Sequence, residues 1–218
     1  NSIIFSSSAT VYGEPLNPKC KETTPLKPIN VYGKTKLIVE RILEDIHKAN
    51  PNWKIINLRY FNPIGSHRSG IIGENPTGIP NNLIPFISQV ASGKRDKLLV
   101  FGDNYNTPDG SGKRDYIHVE DLARGHISAL SKIEKSNDLF ESINLGTGKS
   151  YSVFEIIRVY EEVSGKRIHY EVTNRRKGDI AEVYADPNYA REFLNWEADY
   201  GLKRMIEDSW RWQQNINT

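Results

Sequence analysis

Tyr32 and Lys36 stand four residues apart in Tyr32-Gly-Lys-Thr-Lys36, behind the serine run Ser6-Ser7-Ser8-Ala9-Thr10-Val11-Tyr12-Gly13. On a helix this spacing puts both side chains on one face, where the ammonium can sit beside the phenol and favour the phenolate. Tyr32 is therefore a candidate base near neutral pH. In a chain with 11 Tyr the spacing alone is what chance supplies, and a surface helix carrying an aromatic and a cation would look the same. The order of elements adds weight. Residues 2–5 read as a short buried strand, residues 6–8 as its polar end, and residues 31–48 as a helix closed by Pro51. In open α/β sheets chemistry collects at the carboxyl ends of strands. A serine triplet there, followed by a helix bearing Tyr and Lys, is where a hydroxyl relay would lie.

The elements that must hold these residues alternate along the chain. Strands are expected at 53–60, ended by Asn62-Pro63, and at 98–101, 116–119, 142–145, 168–172 and 183–185. Helices are expected at 82–92, with Pro85 in the first turn, and at 120–132, 152–164, 187–194 and 202–214. Ser152 with Glu155 forms a capping box. Residues 65–80 are rich in Gly and Pro and read as a surface loop, of a length that is often functional. The alternation is the α/β pattern.

Composition excludes several function classes. A net charge of +2 with 26% charged residues demands neither nucleic acid nor a membrane surface. The lone Cys20 cannot form an internal disulfide, and the five His show no metal-ligand spacing, so no metal is expected. With no long apolar run, the simplest expectation is a soluble cytoplasmic protein. The chain enters a core-type strand at once from Asn1, which suggests a carboxyl-terminal fragment of a longer protein.

Three motifs are ambiguous. Gly146-Thr147-Gly148-Lys149-Ser150 has the tail of a phosphate loop, but Ile143 and Tyr151 stand where a Walker loop and a dinucleotide fingerprint need Gly, so it reads as a strand-to-helix turn. Arg175-Arg-Lys-Gly-Asp179 is either a solvated turn or, with Arg114, a guanidinium clamp for a diphosphate. Asn81 and Asn82 either cap the following helix or bind a ligand at its positive end.

Taken together, Phe5-Ser-Ser-Ser-Ala-Thr-Val-Tyr-Gly13, Tyr32-Gly-Lys-Thr-Lys36, Leu58-Arg-Tyr-Phe-Asn-Pro-Ile-Gly65, Gly78-Ile-Pro-Asn-Asn-Leu83, Arg114-Asp-Tyr-Ile-His-Val119 and Arg175-Arg-Lys-Gly-Asp179 resemble, in order and spacing, the UDP-glucose 4-epimerases of the extended short-chain dehydrogenase/reductase superfamily. The resemblance covers essentially the whole chain. It lacks the family's first hundred or so residues, which carry the Gly-rich dinucleotide turn. It implies a Rossmann-type doubly wound parallel sheet, its amino-terminal part missing, with a smaller α/β substrate-binding domain. Residues 1–62 and 115–148 would belong to the NAD-binding part, and 63–114 and 149–218 to the UDP-sugar part.

The implied activity is NAD-dependent interconversion of UDP-galactose and UDP-glucose by hydride abstraction at C4, turnover of the 4-keto sugar and hydride return, as in galactose metabolism. By the same resemblance Tyr32 is the base, Lys36 favours its phenolate and holds the nicotinamide ribose, and Ser8 relays the proton. Tyr60 and Phe61 wall the nicotinamide. Asn62, Asn81, Asn82, Leu83, Leu99, Val100, Phe101, Arg114, Arg176 and Asp179 grip uridine diphosphate, and Ser8, Ala9 and Thr10 touch the sugar. Val183 matches a position where a bulky residue excludes N-acetylated sugars. Family members are usually homodimers. The alternatives are another nucleotide-sugar epimerase or dehydratase, although dehydratases typically carry an Asp-Glu pair where Ala9-Thr10 stands, and a non-catalytic NAD-binding regulatory subunit, which commonly loses the Tyr or Lys. Half a parallel sheet has an open edge, so the isolated 218 residues are expected to be inactive and poorly stable.

Overall fold

The computed structural model describes residues 1–216. Strand β1 (Ser2–Ser8) runs through the serine triplet and pairs in parallel with β3 (Lys54–Tyr60), which pairs in parallel with β7 (Phe140–Leu145). The sheet order is β1-β3-β7, so β1 has one edge without a strand among the described residues. Central β3 is buried along Ile55–Arg59, as a strand covered on both faces must be. Helix α1 (Val31–Ala49) covers the face that carries Ser7 and Arg59, whereas Ile4, Ile56 and Leu58 face helices α3 (Val119–Glu134) and α5 (Asn188–Leu194). Helices on both faces of a parallel sheet are the doubly wound arrangement.

Helix α1 starts where its sequence predicts. Asn30 accepts from the Gly33 amide at 2.8 Å, and His47 and Lys48 complement the dipole in its last turn. At its first turn it abuts the 3-10 turn of Ala9–Tyr12.

A second sheet has the order β2 (Lys19–Cys20), β10 (Glu182–Ala185), β6 (Lys113–His118), β4 (Asn62–Ile64), with β8 (Ser150–Ser152) antiparallel to β6. Asn62-Pro63 therefore does more than end β3, since the chain leaves the first sheet at Phe61 and enters the second. β4 lies at the end of that path, where a proline without an N–H is tolerated. Likewise Gly146-Thr147-Gly148 leads into the short β8 before helix α4 (Val153–Ser164), whose Ser152–Glu155 capping box is present. Strand β5 (Leu98–Phe101) pairs in parallel with β9 (Tyr170–Thr173). Helices α2 (Leu83–Ala91), α4 and α6 (Leu202–Asn215) close a core around Ile87, Ile156, Tyr160 and Ile206.

Asp115 ties the two sheets together. Its buried carboxylate accepts from the Thr147 hydroxyl at 2.6 Å and from the amides of Thr147, Gly148 and Ala185 at 3.0 to 3.1 Å. The turn that resembled a phosphate cradle is filled by the protein's own carboxylate.

Candidate active site

Tyr32 is the second residue of α1, half exposed, at the carboxyl end of β1. Lys36 follows one turn later with its ammonium 5.5 Å from the Tyr32 ring centre, and it donates to the Ser6 carbonyl at 2.8 Å. Its remaining protons have no partner among the described residues. Ser8 accepts from the Thr10 amide at 3.2 Å and the Thr10 hydroxyl at 3.0 Å. Neither bond uses the serine's own proton, which is left for a ligand oxygen. Gly33 explains how the helix comes so near: a Cβ there would lie 2.6 Å from the Thr10 carbonyl oxygen. Only glycine lets the first turn of α1 rest on the backbone that follows Ser8.

Val183, Ala9 and Phe61 share one buried cluster, which brings β10 against the serine turn. Tyr60, paired with Ser8 across the sheet, is half-buried and lies on the α3 face. Val183 also pairs with Arg114, and Asn62 with Tyr116, so the second sheet runs from this corner directly to the arginines.

Arg114 is largely buried. Its guanidinium donates to the carbonyls of Lys113 and Ile180 at 2.8 Å, and no carboxylate is within ion-pair distance among the described residues. Burial pushes its pKa down, while Tyr116 and the Asp179 carboxylate, beyond ion-pair distance, act the other way. Arg176 lies over the Phe101 ring at 4.5 Å and pairs with Asp179 at 2.9 Å. Arg175, the first residue of the same run, stacks on Tyr105 at 4.0 Å and bonds Asn104. The Tyr105 hydroxyl is buried without a partner. Burial, and after it the Asp179 charge, raises the pKa of that phenol.

The other proposed ligand contacts divide. Asn62, Asn81 and Asn82 are exposed, and Leu83 is partly exposed at the start of α2. The Asn82 side chain makes no cap and instead donates to Glu74 at 3.3 Å. Leu99 is exposed, but Val100 is a core side chain, so only its backbone can meet a ligand. Asp115 was missed because its partners lie 32 to 70 residues away. The signal available was a carboxylate inside a strand-like run, Asp115-Tyr116-Ile117.

Tyr32, Lys36 and Ser8 thus form one corner, Arg114, Arg176 and Asp179 another, and β6 and β10 join them. The first corner suits proton transfer next to a bound cofactor, and the second suits an anion.

Comparison with known proteins agrees. Residues 1–146 match the model of the "NAD dependent epimerase/dehydratase family". The chain is 54% identical over 216 residues to the UDP-glucose 4-epimerase of Bacillus subtilis (strain 168), covering 99% of this chain and 63% of that protein. To the UDP-glucose 4-epimerase of Neisseria meningitidis serogroup B it is 56% identical, with 98% and 63% covered. The UDP-glucose 4-epimerase crystal structure from Stenotrophomonas maltophila, with bound NAD and formylated UDP-arabinopyranose, superposes with a TM-score of 0.96 at 43% identity, covering 100% of this chain and 64% of that one. That from Bifidobacterium longum, in complex with NAD+ and UDP, gives 0.95 at 47%, with 99% and 64% covered. The chain spans 63% of the length of the two epimerases first named, and it belongs to the NAD dependent epimerase/dehydratase family.

Proposed function

We propose that this chain is the greater part of an NAD-dependent UDP-glucose 4-epimerase interconverting UDP-galactose and UDP-glucose. The observation that carries the reading is the Tyr32–Lys36 pair at the end of β1, joined by the packing of Ala9 against Val183 and by the Val183–Arg114 register to a guanidinium with no ion-pair partner among the described residues. The residues fit the cofactor: Lys36 has donors to spare for ribose hydroxyls, and Tyr60 and Phe61 offer an aromatic edge beside Ser8. Bound NAD supplies a hydride acceptor. Tyr32 takes the proton of the sugar 4-hydroxyl as C4 is oxidised and returns it on reduction. The nearby Lys36 charge stabilises the phenolate between these events. Ser8 donates its unused proton to the same sugar oxygen.

Arg114 and Arg176 hold the diphosphate, with the Arg176–Asp179 pair opening to admit it. Asn62, the start of α2 and the exposed edge of β5 complete the uridine diphosphate grip. Residues 1–62 and 115–148 form the cofactor-binding part and 63–114 and 149–218 the UDP-sugar part, with the second sheet drawing strands from both. No helix of the described residues is long and apolar enough to cross a membrane, and the reading places the enzyme in the cytoplasm. Exposed Ile38 and Ile42 on α1, the helix that bears Tyr32, supply an apolar surface for a homodimer.

The test is UDP-galactose to UDP-glucose turnover by the natural-length protein beside its Tyr32→Phe variant. Removing the proton acceptor should lower kcat by about 10²-fold or more, with UDP binding retained. An unaltered protein that binds NAD but gives no turnover would sink the reading.

A further inference from the structure

Beneath the candidate site lies a buried polar group that the proposed chemistry does not use. Glu40, 4% exposed, stands eight residues after Tyr32 and four after Lys36, on the same face of α1. It accepts from the Ser7 hydroxyl at 2.5 Å and from Arg59 three times: Nε at 3.0 Å to one carboxylate oxygen and 3.3 Å to the other, and a terminal nitrogen at 2.7 Å. The other Arg59 arm donates to the Tyr12 hydroxyl at 3.3 Å and the Glu22 carbonyl at 3.2 Å. Tyr12 in turn donates to Asn144 at 2.6 Å. Four members of this group stand beside residues of the site. Ser7 precedes Ser8, Arg59 precedes Tyr60, Tyr12 ends the turn on which Gly33 rests, and Glu40 is one helical turn from Lys36.

An apolar pair of similar volume would hold a helix on a sheet as firmly, because burying two charges cancels most of what their attraction contributes. A forked, directional pair does what an apolar pair cannot: it fixes how far α1 slides and rotates over β1 and β3. We infer that Glu40 and Arg59 are positioning residues, a buried clamp that sets Tyr32 and Lys36 against Ser8 and Tyr60. The inference rests on the epimerase reading for its kinetic consequence, but its geometric consequence stands without it.

Two variants of the natural-length protein test it. Arg59→Lys keeps the charge and loses the fork, and Glu40→Leu/Arg59→Met removes both charges together. Both are expected to fold cooperatively and bind UDP, with kcat lowered about tenfold or more and KM within about twofold, as for a small misplacement of the reacting groups. A 3-fluorotyrosine at position 32 should show a shifted or broadened 19F resonance in both variants, whether or not turnover is seen. That arm decides the clamp alone if the unaltered protein proves not to be an epimerase, and Arg59→Lys decides it if the double variant does not fold. Folded variants with unchanged kcat, or an unmoved resonance, would overturn the inference.

Discussion

Replacing Gly33 with Ala asks whether the approach of α1 to the serine turn matters to chemistry or only to packing. The new methyl would stand 2.6 Å from the Thr10 carbonyl oxygen, 3.0 Å from Pro28 Cβ and 3.1 Å from the Thr10 carbonyl carbon. None of these atoms ends a flexible side chain. Reaching an ordinary contact of 3.4 Å requires 3.4 − 2.6, a retreat of about 0.8 Å by the first turn of α1. Tyr32 moves with it. A misplacement of about 1 Å can cost about 10²-fold in rate, so kcat should fall by roughly ten- to a hundredfold. Stability responds differently, because two effects oppose. Alanine favours the helix over glycine by about 1 kcal/mol, while overpacking costs about 1–3 kcal/mol. The melting temperature should therefore fall by only a few degrees. KM should change little, since the arginines lie on other elements. The assay is UDP-galactose turnover by the natural-length protein, with thermal unfolding alongside and Gly201→Ala, where an added Cβ meets nothing within 4 Å, as control. A folded Gly33→Ala enzyme with unaltered kcat would refute the reasoning.

Two further predictions concern the second sheet. Burial raises the Asp115 carboxyl to about 6, against its four donors, which lower it. The folded chain therefore binds more protons than the unfolded chain between about pH 4 and 6, and the stability held below that window, about 3 kcal/mol, is lost as pH rises through it. Asp115→Asn, which faces an NH2 toward backbone N–H groups, should be destabilised most near pH 4 and progressively less by pH 7 in urea titrations; a pH-independent difference between the two proteins would contradict this. Val183 is buried with Ala9 and Phe61 beside the sugar corner, so Val183→Tyr should suppress turnover of UDP-GlcNAc while sparing UDP-galactose, and equal turnover of both sugars by the variant would count against that role.

What could be read from the sequence was whatever is local. The end of α1 followed from Pro51, the capping box from Ser152 and Glu155, and β5 from a four-residue apolar run. Strands β2, β4 and β8 are two or three residues long, shorter than any window in which alternation can be counted. Their existence depends on partners far along the chain. The same holds for the site. Tyr32 and Lys36 are a helical pair and visible as such, and Arg175–Asp179 is a visible charge run. That Arg114 has no ion-pair partner among the described residues, that Arg175 and not only Arg176 stacks on an aromatic ring, and that Val100 turns into the core are facts of three-dimensional placement. The likeness of six motifs to one family is what the proposed residue roles rest on, whereas Asp115 and Glu40 required the fold.

The placement of α1 shows how regular elements hold Tyr32 and Lys36, whereas Arg176 and Asp179 lie in the loop after β9. Gly33 sets the helix against Thr10, and Glu40 sets it against Ser7 and Arg59 seven residues later, about 10 Å along the axis at 1.5 Å per residue. A rod held at one point can still pivot about it; held at two, it can neither slide nor tilt. Tyr32 lies beside the first point and Lys36 between the two. Strand β6 works in the same way. Successive side chains on a strand face opposite sides, so Arg114 turns toward Arg176 and Ile180 while Asp115 turns into the Gly146–Gly148 turn at the end of β7. One strand therefore fixes the anion corner and the end of the cofactor-side sheet in a single register. On the proposed reading, sheet geometry sets how far Arg114 stands from Tyr32, and Arg176 with Asp179 joins the anion corner from the loop after β9.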